Sequence, residues 1–215
     1  RKNLYFLLHS YSLLPLNIAI KYKLVLAGPF SDEQKKLIKL WSNQLNISFH
    51  NIIILGFVSD SYLADLYRNC YLFIFPSLHE GFGLPVLEAI SCGAPAITSN
   101  CTSLPEILHL KSSLFDPYDV EELRDLIIRS VNDRNFYNAL KINSDKRKNY
   151  FSWQLTASKT MESILFVRNK FQGSSNSYKY ISYLIDQNKL SYKLLISNIK
   201  RNKLIRLFSK KYISY

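Results

Sequence analysis

Short, continuous apolar runs alternate with amphipathic helical stretches along most of this chain, and few folds admit that order. KLVLAG (Lys23 to Gly28) is an apolar run with a glycine at its exit. SDEQKKLIKLWSNQL follows, with Ser31 placed as an N-cap ahead of a 3.6-residue pattern. The order repeats: NIIILG (Asn51 to Gly56), then SDSYLADLYRN with Ser59 as cap, then YLFIFPS, GLPVLEAISC, PAITS and VEELRDLIIRSV. Strands apolar on both faces and separated by helices predict an α/β fold with a doubly wound parallel sheet. Such sheets take ligands outside the carboxyl ends of their strands, so the loops after Leu26, Leu55, Phe75 and Thr98 are the places to search.

The flanking segments set the expected boundaries. RKNLYFLLHSYSLLP reads as one helix with Leu4, Leu7, Leu8 and Tyr11 on its apolar side, so the chain is expected to begin inside a structural unit. From Asp119 the pattern is mostly helical, over 119–132, 134–148 and 151–169. Past Gln172 the composition turns to Ser, Asn, Tyr, Lys and Ile around GSSNS, which predicts a globular domain over 1–172 and a separate tail over 173–215. Residues 171–215 hold nine Lys or Arg against the single Asp186, so eight of the twelve net positive charges sit there and the globular part is only mildly basic.

Drawn as a helix, the tail gathers Leu194, Leu204, Ile205, Phe208 and Tyr212 on one side, with Lys203, Arg206 and Lys210 opposite and Arg201 intruding. That pattern leaves two readings open, peripheral contact with an anionic membrane or a solvated tail. Nucleic acid is not an expected partner, because the tyrosines here form no binding module. Three cysteines, Cys70, Cys92 and Cys101, have no paired spacing, and they point to a reducing, cytoplasmic setting, at the inner membrane face if the tail meets lipid. No metal-ligand cluster is legible, and the longest apolar runs are far too short to span a bilayer. A chain 47% hydrophobic and 20% charged is not a disordered one.

PSLHEGFGLPVLEAISCGAPAITS (Pro76 to Ser99) is the most informative segment. Gly81 and Gly83 follow a strand and precede a helix whose first turn contains Pro85. Glycine there lets backbone N–H groups approach a ligand, and the helix terminus adds partial positive charge that receives a phosphate or a sugar hydroxyl. Two carboxylates flank the turn. Glu80 lies within it, and Glu88 lies about one turn into the helix among Leu84, Val86, Leu87, Ala89 and Ile90. A carboxylate in apolar surroundings requires a partner, and vicinal hydroxyls of a sugar supply one. The residues alone leave the bland readings open too: a tight turn without a ligand, Glu80 as a helix cap, and Glu88 on a solvated face.

EGFGLPVLE, with its two glutamates eight apart, resembles the E-x7-E motif of retaining glycosyltransferase family 4, which has the GT-B fold. GFVSDSYLADLYRNCYLFIFPS before it, the residues through SLPEI after it, DPYDVEELRDLI and FSWQLTASKTMESI resemble the same family, so the resemblance runs over about residues 1 to 169. It implies a Rossmann-like C-terminal half of a GT-B enzyme and a nucleotide-sugar donor site. Glu80 matches the first motif glutamate, which lies against the donor sugar at the reacting centre and is the catalytic candidate. Gly81, Phe82, Gly83 and Leu84 match the loop whose amides meet sugar and diphosphate, and Glu88 matches the glutamate that binds the ribose. Lys2 takes the place of the lysine that meets the diphosphate, with Arg1 second to it. A fixed lysine and helix-terminal amides stabilise a leaving diphosphate without a metal ion or a cofactor. Ser99 and Leu104 are placed in a loop passing the nucleotide, while Glu106 is expected to be structural, His79 an exposed loop residue, and Cys70 and Cys92 core residues.

The implied reaction is transfer of a hexose, with mannose from GDP-mannose favoured, to a polysaccharide or lipid-linked glycan acceptor with retention of configuration. The family's other domain and the first strand of this one are expected to be missing from the segment, which would then be incomplete as an enzyme. A catalytically inactive, truncated nucleotide-sugar-binding module is the alternative of a different class. Sugar-nucleotide epimerisation is disfavoured by the lack of a histidine-rich set.

Overall fold

The computed structural model describes residues 2–170, with only the backbone of 168–170. Arg1 and the tail with its expected basic helix lie outside the described residues, as does the boundary placed near 172. The described residues fall into two compact units that divide between Tyr150 and Phe151. The second contains α9 (Trp153–Lys170). No described helix is long and apolar enough to cross a membrane.

The first unit is an α/β structure whose described strands all run parallel. β1 (Leu24–Ala27) pairs with β2 (Ile52–Gly56) in register Leu24↔Ile52 and Leu26↔Ile54. β4 (Ala96–Ser99) lies between β3 (Phe73–Phe75) and β5 (Leu114–Phe115), parallel to both. All four residues of β4 are buried, as expected for a strand paired on both edges and packed on by helices.

Two crossover helices start at the serine caps legible in the sequence, and a third at an aspartate. Ser31 accepts from the Gln34 N–H and Gln34 returns the bond, a capping box that opens α3 (Asp32–Gln44). Ser59 accepts from the Tyr62 N–H at the start of α4 (Asp60–Asn69), and Asp119 accepts from Glu121 and Glu122 at the start of α7 (Val120–Asn132). The opening segment forms the expected helix, α1 (Leu4–Ser12), and a second, unexpected one follows, α2 (Leu16–Lys21); Pro15 lacks the N–H needed to continue the first and serves as N-cap to the second. Phe6 of α1 stacks on Phe115 of β5 with ring centroids 6.0 Å apart, within a core that also holds Leu8, Ile97, Leu123 and Leu140.

Two further helices position the strand-end loops. α5 (Leu84–Ser91) follows β3, and α6 (Leu104–Leu108) follows β4. The latter corrects the reading of Leu104 as a loop residue: it opens α6 and is fully buried. α6 has only five residues, so tertiary contacts rather than propensity hold it. α8 (Arg134–Arg147) supplies them. The Arg147 guanidinium donates to the carbonyls of Ile107, at 2.7 Å, and Glu106, and the Asn143 amide donates to the Leu108 carbonyl at 2.8 Å. A cation on the exposed carbonyls of a helix end satisfies them and complements the dipole. Replacing Arg147 by Met keeps the stem volume and orphans those carbonyls. The expected loss is about 2 kcal/mol of unfolding free energy, measured by urea denaturation; a variant as stable as the parent would show that α6 does not depend on this contact.

Candidate functional site

The β3-to-α5 connection makes the turn that the glycines predicted. Gly83 is the N-cap of α5 at φ +99°, in the left-handed region, and Pro85 stands in the first turn. A Cβ at Gly83 would lie 2.6 Å from Leu104 Cδ2 and 2.9 Å from Ile107 Cδ1, so here glycine is required both by backbone conformation and by space. Gly81 differs, because a Cβ there would meet nothing within 4 Å. Phe82 and Leu84 are exposed beside it, and the N-cap of α5, being glycine, offers no side-chain cap. The first turn contains no acidic residue, so its partial positive charge is not offset locally.

Glu80 is not a helix cap. Its side chain is 8% exposed, and Oε1 accepts from Lys2 Nζ at 2.6 Å and from Ser77 Oγ at 2.7 Å. Ser99, the buried last residue of β4, donates from Oγ to the Ser77 carbonyl. A carboxylate removed from water needs such partners, since burying a lone charge costs several kcal/mol or about that order. Lys2 itself is 56% exposed, with Nζ 4.8 Å from the Phe75 ring centroid. The ammonium therefore faces solvent on one side and the carboxylate on the other. Asn3, next in sequence, donates to the Pro117 carbonyl at 2.8 Å, which ties the start of α1 to the loop beyond β5. The ends of β3, β4 and β5 thus converge around Glu80.

Glu88 occupies a different environment. It is half-buried on α5, and Tyr67 of α4 donates to its Oε2 at 3.4 Å. Burial pushes its carboxyl above the ordinary value, the Tyr67 hydrogen bond opposes that, and the negative charge of Asp60 adds to it. Tyr67 is itself raised by burial, by Glu88 and by Cys92 and Cys70, so it stays protonated and remains a donor.

The structure brings Lys2, Glu80 and Ser99 together through Ser77, and it places Gly81, Phe82, Gly83 and Leu84 at the open helix terminus with Glu88 further along the same helix. His79 is exposed and contributes its carbonyl to Ser77 at 3.5 Å. Glu106 uses its backbone carbonyl to hold Arg147. Cys70 and Cys92 pack partly buried against Tyr67, Ala89 and Ala94, and burial pushes the Cys70 thiol up to about 11, which suits packing rather than nucleophilic attack. Four participants escaped the sequence reading: Ser77, Thr102, Ser103 and Tyr67. Ser77 lies three residues before Glu80, a spacing that gave a signal. The others come from elements whose approach only the fold reveals.

Two outcomes follow. Gly83→Ala is expected to lower stability by about 2 to 3 kcal/mol, through both overpacking and left-handed strain, while Gly81→Ala changes it little; equal effects in thermal denaturation would contradict the contact with α6. Glu88 has a raised folded-state value, so its contribution is most favourable at low pH and is lost as pH rises through the folded value. Glu88→Gln should therefore raise the melting temperature at about pH 7 to 8, with the gain fading toward pH 4, below the ordinary carboxyl value. A gain independent of pH would show that ionisation is not its source.

Residues 1–147 match the family described as glycosyl transferases group 1. The chain is 42% identical over 162 residues to the serotype-specific mannosyltransferase WbdA of Escherichia coli, covering 75% of this chain and 20% of that protein. It is 36% identical over 161 residues to the O-antigen chain mannosyltransferase B of Escherichia coli, covering 75% of this chain and 42% of that protein. It thus spans from about a fifth to less than half of the length of these curated relatives. Among solved structures, Anabaena HepE in complex with UDP superposes with a TM-score of 0.65 at 20% identity, over 77% of this chain and 45% of that one. Sucrose-phosphate synthase from Thermosynechococcus elongatus gives 0.66 at 24%, over 81% and 43%. At these identities the superpositions establish the fold, one half of a GT-B structure.

Proposed function

Because this chain belongs to the glycosyl transferases group 1, we propose that Lys2, the 80–84 loop and Glu88 form the donor site of a retaining, metal-independent hexosyltransferase. The observation that carries the reading is the convergence of a half-exposed ammonium and a buried carboxylate on an uncapped, glycine-led helix terminus, with a second, poorly solvated carboxylate along the same helix.

In this reading the nucleoside diphosphate lies along the start of α5. Breaking the glycosidic bond puts negative charge on the departing diphosphate, and Lys2 Nζ with the terminal amides of Gly81, Gly83 and Leu84 would stabilise it as it forms. Such pre-oriented donors are worth about 3 to 4 kcal/mol each in comparable sites. The lysine ammonium has three N–H donors, so it can keep Glu80 and still reach a phosphate oxygen. Glu80 would accept from sugar hydroxyls and hold the anomeric carbon in place, and Glu88 would accept from the ribose hydroxyls, exchanging a poorly solvated state for two short hydrogen bonds. Ser99 acts through Ser77 on the carboxylate. No metal ion is required, because Lys2 and the helix terminus already supply the positive charge.

The relatives support a finer proposal. Two of them are named as mannosyltransferases, one serotype-specific and one of an O-antigen chain. The donor would then be GDP-mannose and the acceptor a growing surface polysaccharide or lipid-linked glycan. The reaction would then take place on the cytoplasmic side, where nucleotide sugars would reach it. HepE was solved with UDP and with UDP-glucose, so the same fold accommodates another nucleotide, and the base is an open variable for experiment.

Titration calorimetry of the intact protein with GDP, UDP and ADP is expected to show uptake with GDP preferred, and absence of binding by all three would overturn the donor-site reading. Glu88→Ala should weaken the preferred nucleotide by about 1 to 3 kcal/mol, the loss of a charged hydrogen-bond partner. An unchanged affinity would remove that residue from the site.

A further inference from the structure

Ser103 stands at the N-cap of α6, yet its hydroxyl makes no cap bond there. It donates instead to the Phe82 carbonyl at 2.7 Å, with the Glu80 carbonyl 3.4 Å away. Its neighbour Thr102 has φ +51°, a conformation that a β-branched residue rarely adopts, and from that position its Oγ1 accepts from the Glu80 N–H at 3.2 Å. Two consecutive side chains from the end of β4 therefore hold three backbone groups of the loop after β3. A strained threonine whose side chain is spent on a neighbouring loop, rather than on its own helix, points to a positioning role.

The consequence follows from the planarity of the peptide unit. Among the described residues there is no cis peptide bond, so the C=O of each peptide and the N–H of the next residue point in opposite directions. With the carbonyls of Glu80 and Phe82 drawn toward Ser103, the N–H groups of Gly81 and Gly83 are turned away from α6. The open space at Gly81 leaves that backbone approachable. Arg147 and Asn143 grip the far end of α6, and Leu104 and Ile107 abut Gly83, so the clamp is mounted on a helix fixed at both ends.

We propose that Ser103 and Thr102 are positioning residues that orient the Gly81 and Gly83 amides toward a diphosphate. The proposal deepens the donor-site reading and rests on it. Neither side chain touches the ligand in this arrangement; each acts through the peptide groups it holds. They discriminate between ligands by what those ligands carry, because a diphosphate meets the oriented amides and a bare nucleoside does not.

The test uses calorimetry with GDP and with guanosine on the intact protein, together with thermal melts. Ser103→Ala is expected to weaken GDP about tenfold, as the loss of one orienting hydrogen bond implies, to leave guanosine affinity and the melting temperature unchanged, and to be rescued by Ser103→Thr. Thr102→Gly relieves the left-handed strain and removes Oγ1, so it should weaken GDP without lowering the melting temperature. The inference is overturned if Ser103→Ala binds GDP as the parent does, if GDP and guanosine weaken together with a falling melting temperature, or if Ser103→Thr fails to rescue. Failure of the donor-site reading has a separate signature, absence of GDP, UDP and ADP binding in the unmutated protein.

Discussion

A contact at one glycine fixes the geometry of everything around it. α5 begins at Gly83, and two side chains of α6 lie where any Cβ on that residue would have to be. The start of one helix therefore rests directly on the flank of another, at a separation no other amino acid permits. α6 is too short to be stable by itself and takes its rigidity from α8, through Arg147 and Asn143. An α-helix is stiff along its axis, so once its first residue is seated, the direction and depth of Glu88 four positions beyond Leu84 follow at about 1.5 Å per residue. Packing of α6 between α5 and α8 thus sets where Glu88 and the amides at the start of α5 point.

The two carboxylates sit in opposite electrostatic states. Glu80 is nearly inaccessible but has an ammonium and a hydroxyl on one oxygen. Glu88 is more accessible, yet it faces a phenol at the long end of hydrogen-bond distance and the negative charge of a second acid, Asp60. Depth of burial alone would rank them the other way. At Glu88 burial outweighs the phenol hydrogen bond, whereas Glu80, though deeper, is held by an ammonium and a hydroxyl. An acid kept partly desolvated in the absence of ligand lowers stability and raises the gain when hydroxyls arrive, the usual exchange between stability and function at binding sites.

Most of the architecture was legible in the sequence because its signals are local. Apolar runs, the serine caps Ser31 and Ser59, and the glycines at the exits of β1 and β2 and before α5 announced β1 to β4 and the helices α3, α4, α5 and α7 by rules that act over a few residues. The short α2 after Pro15 was not anticipated, and LPEIL was taken as loop because five residues give no periodicity. In the site, Glu80, Lys2, Ser99 and the glycines were found through resemblance to a motif, and the structure assembles them at one place. The clamp of Thr102 and Ser103 and the Tyr67 donor were invisible for a physical reason. Their importance lies in bonds across 20 or so residues of chain, made by side chains with no distinctive neighbours in sequence.

The Lys2 to Glu80 pair has a meaning beyond its own energy. Lys2 compensates the charge of the buried Glu80, which folding requires, while its own open side is screened by solvent. A free lysine, however, has on the order of 2 kcal/mol of rotamer entropy, and a ligand that immobilises it must offset that loss. Here Glu80 on one side and the Phe75 ring beneath restrict the ammonium before any diphosphate is present. In the proposed function, the reorganisation that binding would otherwise demand has then been completed during folding, and the same holds for amides already turned by Ser103. The cost of order is met once, by the core, and is not repeated at each turnover.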